Sequence, residues 1–137
     1  MKQYREIRAK AGILEICKRP DLAATVTLQP IEVLDVDAAI IFADLLLPVE
    51  PMGLKLKFVA GEGPVIENPV QTSSDVDSLS ISNTDDLSYV GEAIQLVVKQ
   101  LAGKVPVIGF IGAPFTLASY MIEGGPSKTF LKTKQMM

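Results

Sequence analysis

The chain has 137 residues, of which 48% are apolar, and a mild formal net charge of −3. A single cysteine excludes an internal disulfide and a multi-cysteine zinc site, and the lack of histidine removes the usual metal ligand and the commonest general base. The longest apolar runs, at 38–43 and 45–49, are well short of the ~20 residues that span a bilayer. These short runs do not favour a membrane partner. Basic residues do not cluster with aromatic ones, so a nucleic-acid partner is not favoured either.

The first third of the chain predicts two helices. Apolar positions at helical spacing indicate a helix over 5–18, which Gly12 weakens, with Cys17 as a small core residue. A second helix is predicted to run to about Leu34, although Pro30 must kink it or end it early.

An apolar run is then cut off by a single carboxylate. Residues 38–43 lack polar side-chain atoms, which predicts a strand buried on both faces, as in a parallel sheet. Because burying an unpaired charge is costly, Asp44 should lie where the strand emerges, or have a partner. Parallel α/β proteins place catalytic groups at strand exits, so Asp44 is the best functional candidate. The alternative from position alone is a helix-capping or salt-bridged aspartate.

The middle of the chain predicts an exposed hairpin and a loop. Residues 54–58 alternate apolar and lysine side chains, which indicates a half-exposed strand. A turn at 61–64 lets residues 65–66 pair back across it. The segment 71–86 is rich in Ser and Asp and poor in apolar residues, so we expect a surface loop.

Four further elements complete the predicted order. They are a helix over 87–101 capped by Asp85 or Asp86, a buried strand over 105–111, a helix over 115–122, and a final helix from Lys128 capped by Ser127. Alternating helices and buried strands indicate parallel crossovers and an α/β protein. Two parallel strands are too few for a covered sheet, and the last helix is still in progress at Met137. We therefore expect residues 1–137 to be a single partial domain.

Seven short motifs, spread over nearly the whole chain, point to one known family. They are YREIR at 4–8, LQP at 28–30, DAAIIFAD at 37–44, GEGP at 61–64, LAG at 101–103, GFIGAPFTL at 109–117 and YMIEGG at 120–125. Together, and in register, they strongly resemble the uroporphyrinogen decarboxylase family.

The resemblance implies a decarboxylase of haem biosynthesis that uses no metal or organic cofactor and works as a cytoplasmic homodimer. The reaction implied is removal of carbon dioxide from the four acetate side chains of uroporphyrinogen III, giving coproporphyrinogen III. A whole barrel takes about 250 residues or more. The fold implied for this chain is thus a partial TIM (β/α)8 barrel, with its first strands and helices only. The family's arginine signature before Tyr4 and its C-terminal serine and histidine have no counterpart here, so the chain alone is expected to be inactive.

The resemblance also implies roles for five residues. Asp44 matches the family's pivotal carboxylate, and Tyr120 matches a tyrosine that hydrogen-bonds near it and to a substrate carboxylate. Ile40 and Phe110 correspond to apolar residues lining the macrocycle's cleft, and Arg8 to a cation that contacts substrate carboxylates. Without the resemblance, Tyr120 reads as a helix tyrosine with its ring in the core, and Ile40 and Phe110 as core packing.

Two other functions stay open at this point. One is a non-catalytic truncated protein that keeps a tetrapyrrole-binding or dimer-forming surface. The other is part of a related barrel that transfers methyl groups to a corrinoid or thiol. That second function is disfavoured because such proteins build a zinc site from His and Cys, although those ligands could lie beyond Met137.

Overall fold

The computed structural model describes residues 1–81 and 83–137. The chain is α/β and divides into two compact units. The strand unit comprises Met1–Asp44 and Leu87–Phe110, and the hairpin unit comprises Leu45–Asp86 and Ile111–Met137. No helix in the described ranges has both the length and the apolarity needed to cross a membrane.

The helices and strands follow one another in an order close to the predicted one. In chain order they are α1 (Lys2–Arg8), α2 (Ile13–Lys18), α3 (Pro20–Leu34), β1 (Ala39–Ile40), β2 (Leu56–Val59), β3 (Gly63–Ile66), α4 (Ser73–Asp77), α5 (Ser88–Leu101), β4 (Val107–Ile108), α6 (Pro114–Glu123) and α7 (Leu131–Met136). Short 3₁₀ turns occupy Leu47–Val49 and Thr84–Leu87.

The predicted single helix over 5–18 is wrong, because the chain breaks it into α1 and α2. Gly12 is extended, with φ −69° and ψ 164°, and directly precedes α2. Glycine gains little from helical backbone, so the break falls where the helix is weakest. Cys17 is buried in α2, which confirms the prediction of a core residue.

Helix α3 continues through Pro30 to Leu34, so the predicted end is confirmed. Pro20 occupies its first turn, where a missing N–H costs nothing. The side chains of Val26 and Leu28 are buried, and this packing offsets the backbone hydrogen bond that Pro30 cannot make. The residue after the helix, Asp35, has a left-handed backbone.

The two predicted buried strands pair in parallel, as expected for crossover connections. Ala39 lies beside Val107 and Ile40 beside Ile108. The regular strands are shorter than the predicted runs 38–43 and 105–111.

Burial of β1 on both faces was a wrong prediction. Ala39 and Ile41 are buried, but Ile40 is 60% exposed. Among the described residues, helices cover one face of this sheet. The core there is formed by residues of α3, β1 with the residue after it, and α5, namely Ala24, Leu28, Ala39, Ile41, Val97 and Leu101.

In the hairpin unit, the predicted hairpin is confirmed. Strands β2 and β3 pair antiparallel, with Leu56 opposite Ile66 and Val59 opposite Gly63. Lys57 Nζ lies 2.6 Å from Glu67 Oε1 on its exposed face. The turn between the strands places Gly61 at a positive φ that suits glycine.

Three predicted caps and boundaries differ in detail. The segment 71–86 contains α4, which begins with a reciprocal capping box between Thr72 and Asp75. Neither Asp85 nor Asp86 caps α5, because residues 84–87 form their own 3₁₀ turn and Asp86 Oδ2 accepts the Asn83 N–H. Ser127 Oγ accepts the Phe130 N–H at 3.0 Å, so it caps a turn before α7, which starts at Leu131 rather than Lys128.

Adjacent valines of α5 provide a matched test of this core. Val97 is fully buried, whereas its neighbour Val98 is 52% exposed. We expect Val97→Ala to lower the free energy of unfolding by about 2 kcal/mol, since it removes buried methyl groups and leaves a cavity. Val98→Ala should change it far less. Urea unfolding followed by circular dichroism measures both, and equal losses would contradict the assigned core.

Candidate functional site

Asp44 lies just beyond β1, where the chain leaves the parallel sheet, and its side chain is partly buried. The strand is held on one side by β4, because the Ala39 N–H donates to Pro106 O at 2.9 Å and the Ile41 N–H to Ile108 O at 3.0 Å. Asp44 thus follows the predicted parallel strand, whose regular part ends at Ile40, and its place in a functional site stays a prediction.

The Phe42 N–H is held by a side chain instead of a strand. It donates to Thr27 Oγ1 of α3 at 2.8 Å, and the same hydroxyl donates to Ala23 O at 2.8 Å. The backbone two residues before Asp44 is therefore tied to a buried helix face.

Asp44 and Arg8 act on the same buried thiol. Burial, as the largest cause, and the negative charge of Asp44 together raise the pKa of Cys17 to about 12, whereas the positive charges of Arg8 and Lys18 act in the opposite direction. Since such effects need proximity in a protein interior, the strand unit brings Arg8, Cys17 and Asp44 into one neighbourhood. Arg8 Nη1 also donates to Ala11 O at 2.7 Å, which anchors the guanidinium.

Ile40 lies in β1 and Phe110 lies shortly after β4, and both side chains are exposed. Ile40 lies beside Ile108 in the parallel register, and Phe110 follows two residues later, beyond the end of β4. Ile40 is 60% and Phe110 45% exposed, so neither is packed in the core of this chain. Ile40 and Phe110 thus contribute exposed apolar surface near the strand that precedes Asp44.

An apolar groove of about 440 Å³ opens beside β1. Its walls include Tyr4, Pro30, Ile40 and Phe42, with Thr27 as a polar group among them. The rings of Tyr4 and Phe42 are tilted by 58° with centroids 6.0 Å apart. Within the described residues, no cluster of three or more His, Cys, Asp and Glu side chains is arranged to hold a metal ion.

Tyr120 belongs to the hairpin unit, on α6, and is partly buried. Helix α6 starts at Pro114 and ends at Glu123, and the N–H of the following Gly124 donates to Tyr120 O at 2.9 Å. The strand unit therefore holds four of the five predicted site residues, and the pairing of Tyr120 with Asp44 stays a prediction.

Two interactions near the site were not predicted from the sequence. They are the hydrogen bond that Thr27 accepts and the electrostatic interaction between Cys17 and Asp44. Thr27 was not singled out, because the helix was predicted from the spacing of its apolar neighbours alone. Its spacing of four from Ala23 on a buried face was a usable signal for a back-bonded hydroxyl. The electrostatic link between Cys17 and Asp44 joins residues far apart in sequence, and no local pattern predicts it.

The Cys17 thiol offers a direct test of its closeness to Asp44. We expect Asp44→Asn to lower the pKa of Cys17 below about 12, because a negative charge that disfavours the thiolate is removed. Cys17 is the chain's one cysteine, so alkylation rates across a pH series report on it alone. The variant should react faster at each pH. The exposed Asp37→Asn is the control, and equal rates for Asp44→Asn and the unaltered chain would refute the proximity.

The raised pKa of Cys17 also makes the stability of the folded chain depend on pH. The folded chain raises the Cys17 pKa from its ordinary 9.0 to about 12, so it holds this proton more tightly than the unfolded chain does. The tighter hold on the Cys17 proton therefore stabilises the folded chain fully below pH 9, and this stabilisation is lost as the pH rises towards 12.

Comparison with known proteins identifies relatives along the whole chain. The family model described as uroporphyrinogen decarboxylase (URO-D) matches residues 1–137. The chain is 80% identical over 137 residues to a uroporphyrinogen decarboxylase of Solibacter usitatus, covering all of this chain and 40% of that protein. It is 57% identical over 138 residues to one of Carboxydothermus hydrogenoformans, covering 39% of that protein. The chain thus spans about 40% of the length of these relatives.

A solved structure agrees on the fold. A methyltransferase from Methanosarcina mazei superposes with a TM-score of 0.57 at 21% identity, over 79% of this chain and 33% of that one. At this identity the likeness concerns the fold alone, whereas the sequence matches extend over every residue. The chain belongs to the uroporphyrinogen decarboxylase family.

Proposed function

We propose that this chain supplies the Asp44-bearing part of a uroporphyrinogen decarboxylase. That enzyme converts uroporphyrinogen III to coproporphyrinogen III by removing the carboxylates of four acetate side chains, as a cytoplasmic homodimer. The observation that carries the proposal is a carboxylate at the exit of a parallel strand, beside an exposed apolar sheet face, in a chain 80% identical to a protein of that name.

The partial barrel belongs to the same proposal. In a (β/α)8 barrel, parallel strands pack one face on outer helices and turn the other towards the interior. The pair β1 and β4, with α3 and α5 packed on one face, fits two neighbouring barrel strands. Residues 1–137 then count as a single partial domain, in which the described residues of segment 71–86 are largely exposed and form a surface loop.

Asp44 would stabilise positive charge in the reaction. A pyrrole acetate loses carbon dioxide most readily when the ring is first protonated, because the resulting cation accepts the electrons of the breaking C–C bond. A fixed carboxylate that accepts hydrogen bonds from the pyrrole N–H groups favours this cation over the neutral substrate. Asp44 sits at the end of a strand anchored on both sides, by β4 and by Thr27, which suits a fixed carboxylate.

The remaining residues would bind the substrate. Ile40 and Phe110 offer an apolar surface for the macrocycle, and their exposure supports this role. Arg8 would pair with substrate carboxylates, since a guanidinium has five N–H donors and the Ala11 carbonyl uses one. Tyr120 would donate its hydroxyl near Asp44 and to a substrate carboxylate.

A chimera tests the proposed reaction with this chain's own residues. Residues 1–137 replace the matching 40% of the Solibacter usitatus relative. We expect the chimera to decarboxylate uroporphyrinogen, and Asp44→Asn to lower kcat about 100-fold or more, because an amide cannot balance the developing cation. Product formation is followed by chromatography of the oxidised porphyrins.

Asp37→Asn is the matched control, since this exposed carboxylate precedes the same strand. It should leave kcat unchanged. A chimera that folds, as judged by circular dichroism, and binds porphyrinogen without turnover would favour the non-catalytic alternative instead. Full activity of Asp44→Asn would remove the proposed role of the carboxylate.

Residues 1–137 expressed alone should show no turnover. With Ile40, Ile108 and Phe110 exposed to solvent, the sheet face cannot exclude water from a bound macrocycle. Sedimentation of the same sample is expected to show self-association through the exposed apolar face. Turnover by the separate chain that Asp44→Asn abolishes would prove this expectation wrong.

A further inference from the structure

The hydroxyl of Thr27 joins α3 to the end of β1. Thr27 is buried, with 3% of its surface exposed. Its Oγ1 donates to Ala23 O and accepts the Phe42 N–H, both at 2.8 Å. Because the one proton is committed to Ala23, the hydroxyl oxygen is oriented as an acceptor for the strand.

The hydrogen bond from Phe42 lies on the strand edge away from β4. The N–H groups of Ala39 and Ile41 donate towards β4, and successive backbone groups of a strand alternate in direction. The Phe42 N–H therefore points to the opposite edge, where it would be available to pair with a further strand. Thr27 accepts this N–H two residues before Asp44.

We propose that Thr27 is a positioning residue for Asp44, an inference whose activity readout rests on the proposed function. By taking the Phe42 N–H out of the sheet, its hydroxyl sets the place and direction in which the chain carries Asp44 out of the strand. Misplacing a reacting group by about 1 Å can cost a factor of 100 in rate. The nearly isosteric Thr27→Val removes the hydroxyl oxygen that accepts this hydrogen bond, so the Phe42 N–H loses its acceptor.

Thr25 provides a matched control on the same helix. Its Oγ1 donates to Asp21 O at 2.8 Å, which is the same four-residue back-bond that Thr27 makes. Thr25 is exposed and lies on a different side of α3. Thr25→Val therefore removes an equivalent helix hydrogen bond without affecting the strand exit.

The first measurement is steady-state kinetics of the chimera. Thr27→Val should lower kcat about tenfold or more with KM little changed, because the position of Asp44 matters most in the transition state. Thr27→Ser, which keeps the hydroxyl, should restore most of the activity. Thr25→Val should behave like the parent. In the Asp44→Asn background, Thr27→Val should lower kcat no further, whereas a purely structural role would lower it again and overturn the proposal.

The second measurement is independent of activity. Asp44 raises the pKa of Cys17, so a displaced Asp44 should make Cys17 alkylation faster, as followed by peptide mass spectrometry. We expect Thr27→Val to approach the rate of Asp44→Asn, and the double variant to be no faster than Asp44→Asn. If Thr27→Val leaves the Cys17 rate at the parent value, the positioning role is excluded. An inactive chimera with the expected Cys17 rates would count against the proposed function alone.

Discussion

The whole site depends on how the backbone of β1 is satisfied as it leaves the sheet. The N–H groups of Ala39 and Ile41 find carbonyls of the neighbouring strand, and that of Phe42 finds the hydroxyl of Thr27. An unpaired buried N–H costs about 1–3 kcal/mol, so these bonds fix the register and the point of exit together. The chain that leads to Asp44 is thus bonded to two separate elements, β4 and α3. For the role proposed for Asp44, a backbone fixed in this way would reduce the reorganisation needed to meet a developing charge.

The sheet has two apolar faces with different surroundings. Ala39 and Ile41 pack with α3 and α5 and are buried, whereas the paired Ile40 and Ile108 are exposed, as is Phe110 just after β4. Contiguous exposed apolar surface of this kind marks a site of binding or assembly. In a decarboxylase that holds a tetrapyrrole, one face would stabilise the fold and the other would contact substrate. A parallel strand pair separates these two tasks because its side chains alternate between faces.

This alternation also explains what the sequence could and could not predict. The apolar run before Asp44 predicted the parallel strand and the strand exit, the alternation over 54–58 predicted the hairpin, and the three- and four-residue spacing predicted α5. The same run predicted burial on both faces. This was wrong because an apolar residue type does not show whether its side chain packs against a helix or faces an open surface. The break at Gly12 and the 3₁₀ turn at 84–87 depend on small local differences in backbone energy. Thr27 and Phe42 are fifteen residues apart, and their bond exists through tertiary packing.

The electrostatic surroundings of Asp44 suit the role proposed for it. With a pKa of about 12, the Cys17 thiol stays neutral at physiological pH and adds no negative charge beside the carboxylate. Arg8 contributes a positive charge in the same neighbourhood. A second anion there would compete for the pyrrole cation and raise the cost of burying both carboxylate and substrate. A small, buried, uncharged side chain at position 17 therefore fits the roles proposed for Asp44 and Arg8, because it adds no second negative charge beside the carboxylate.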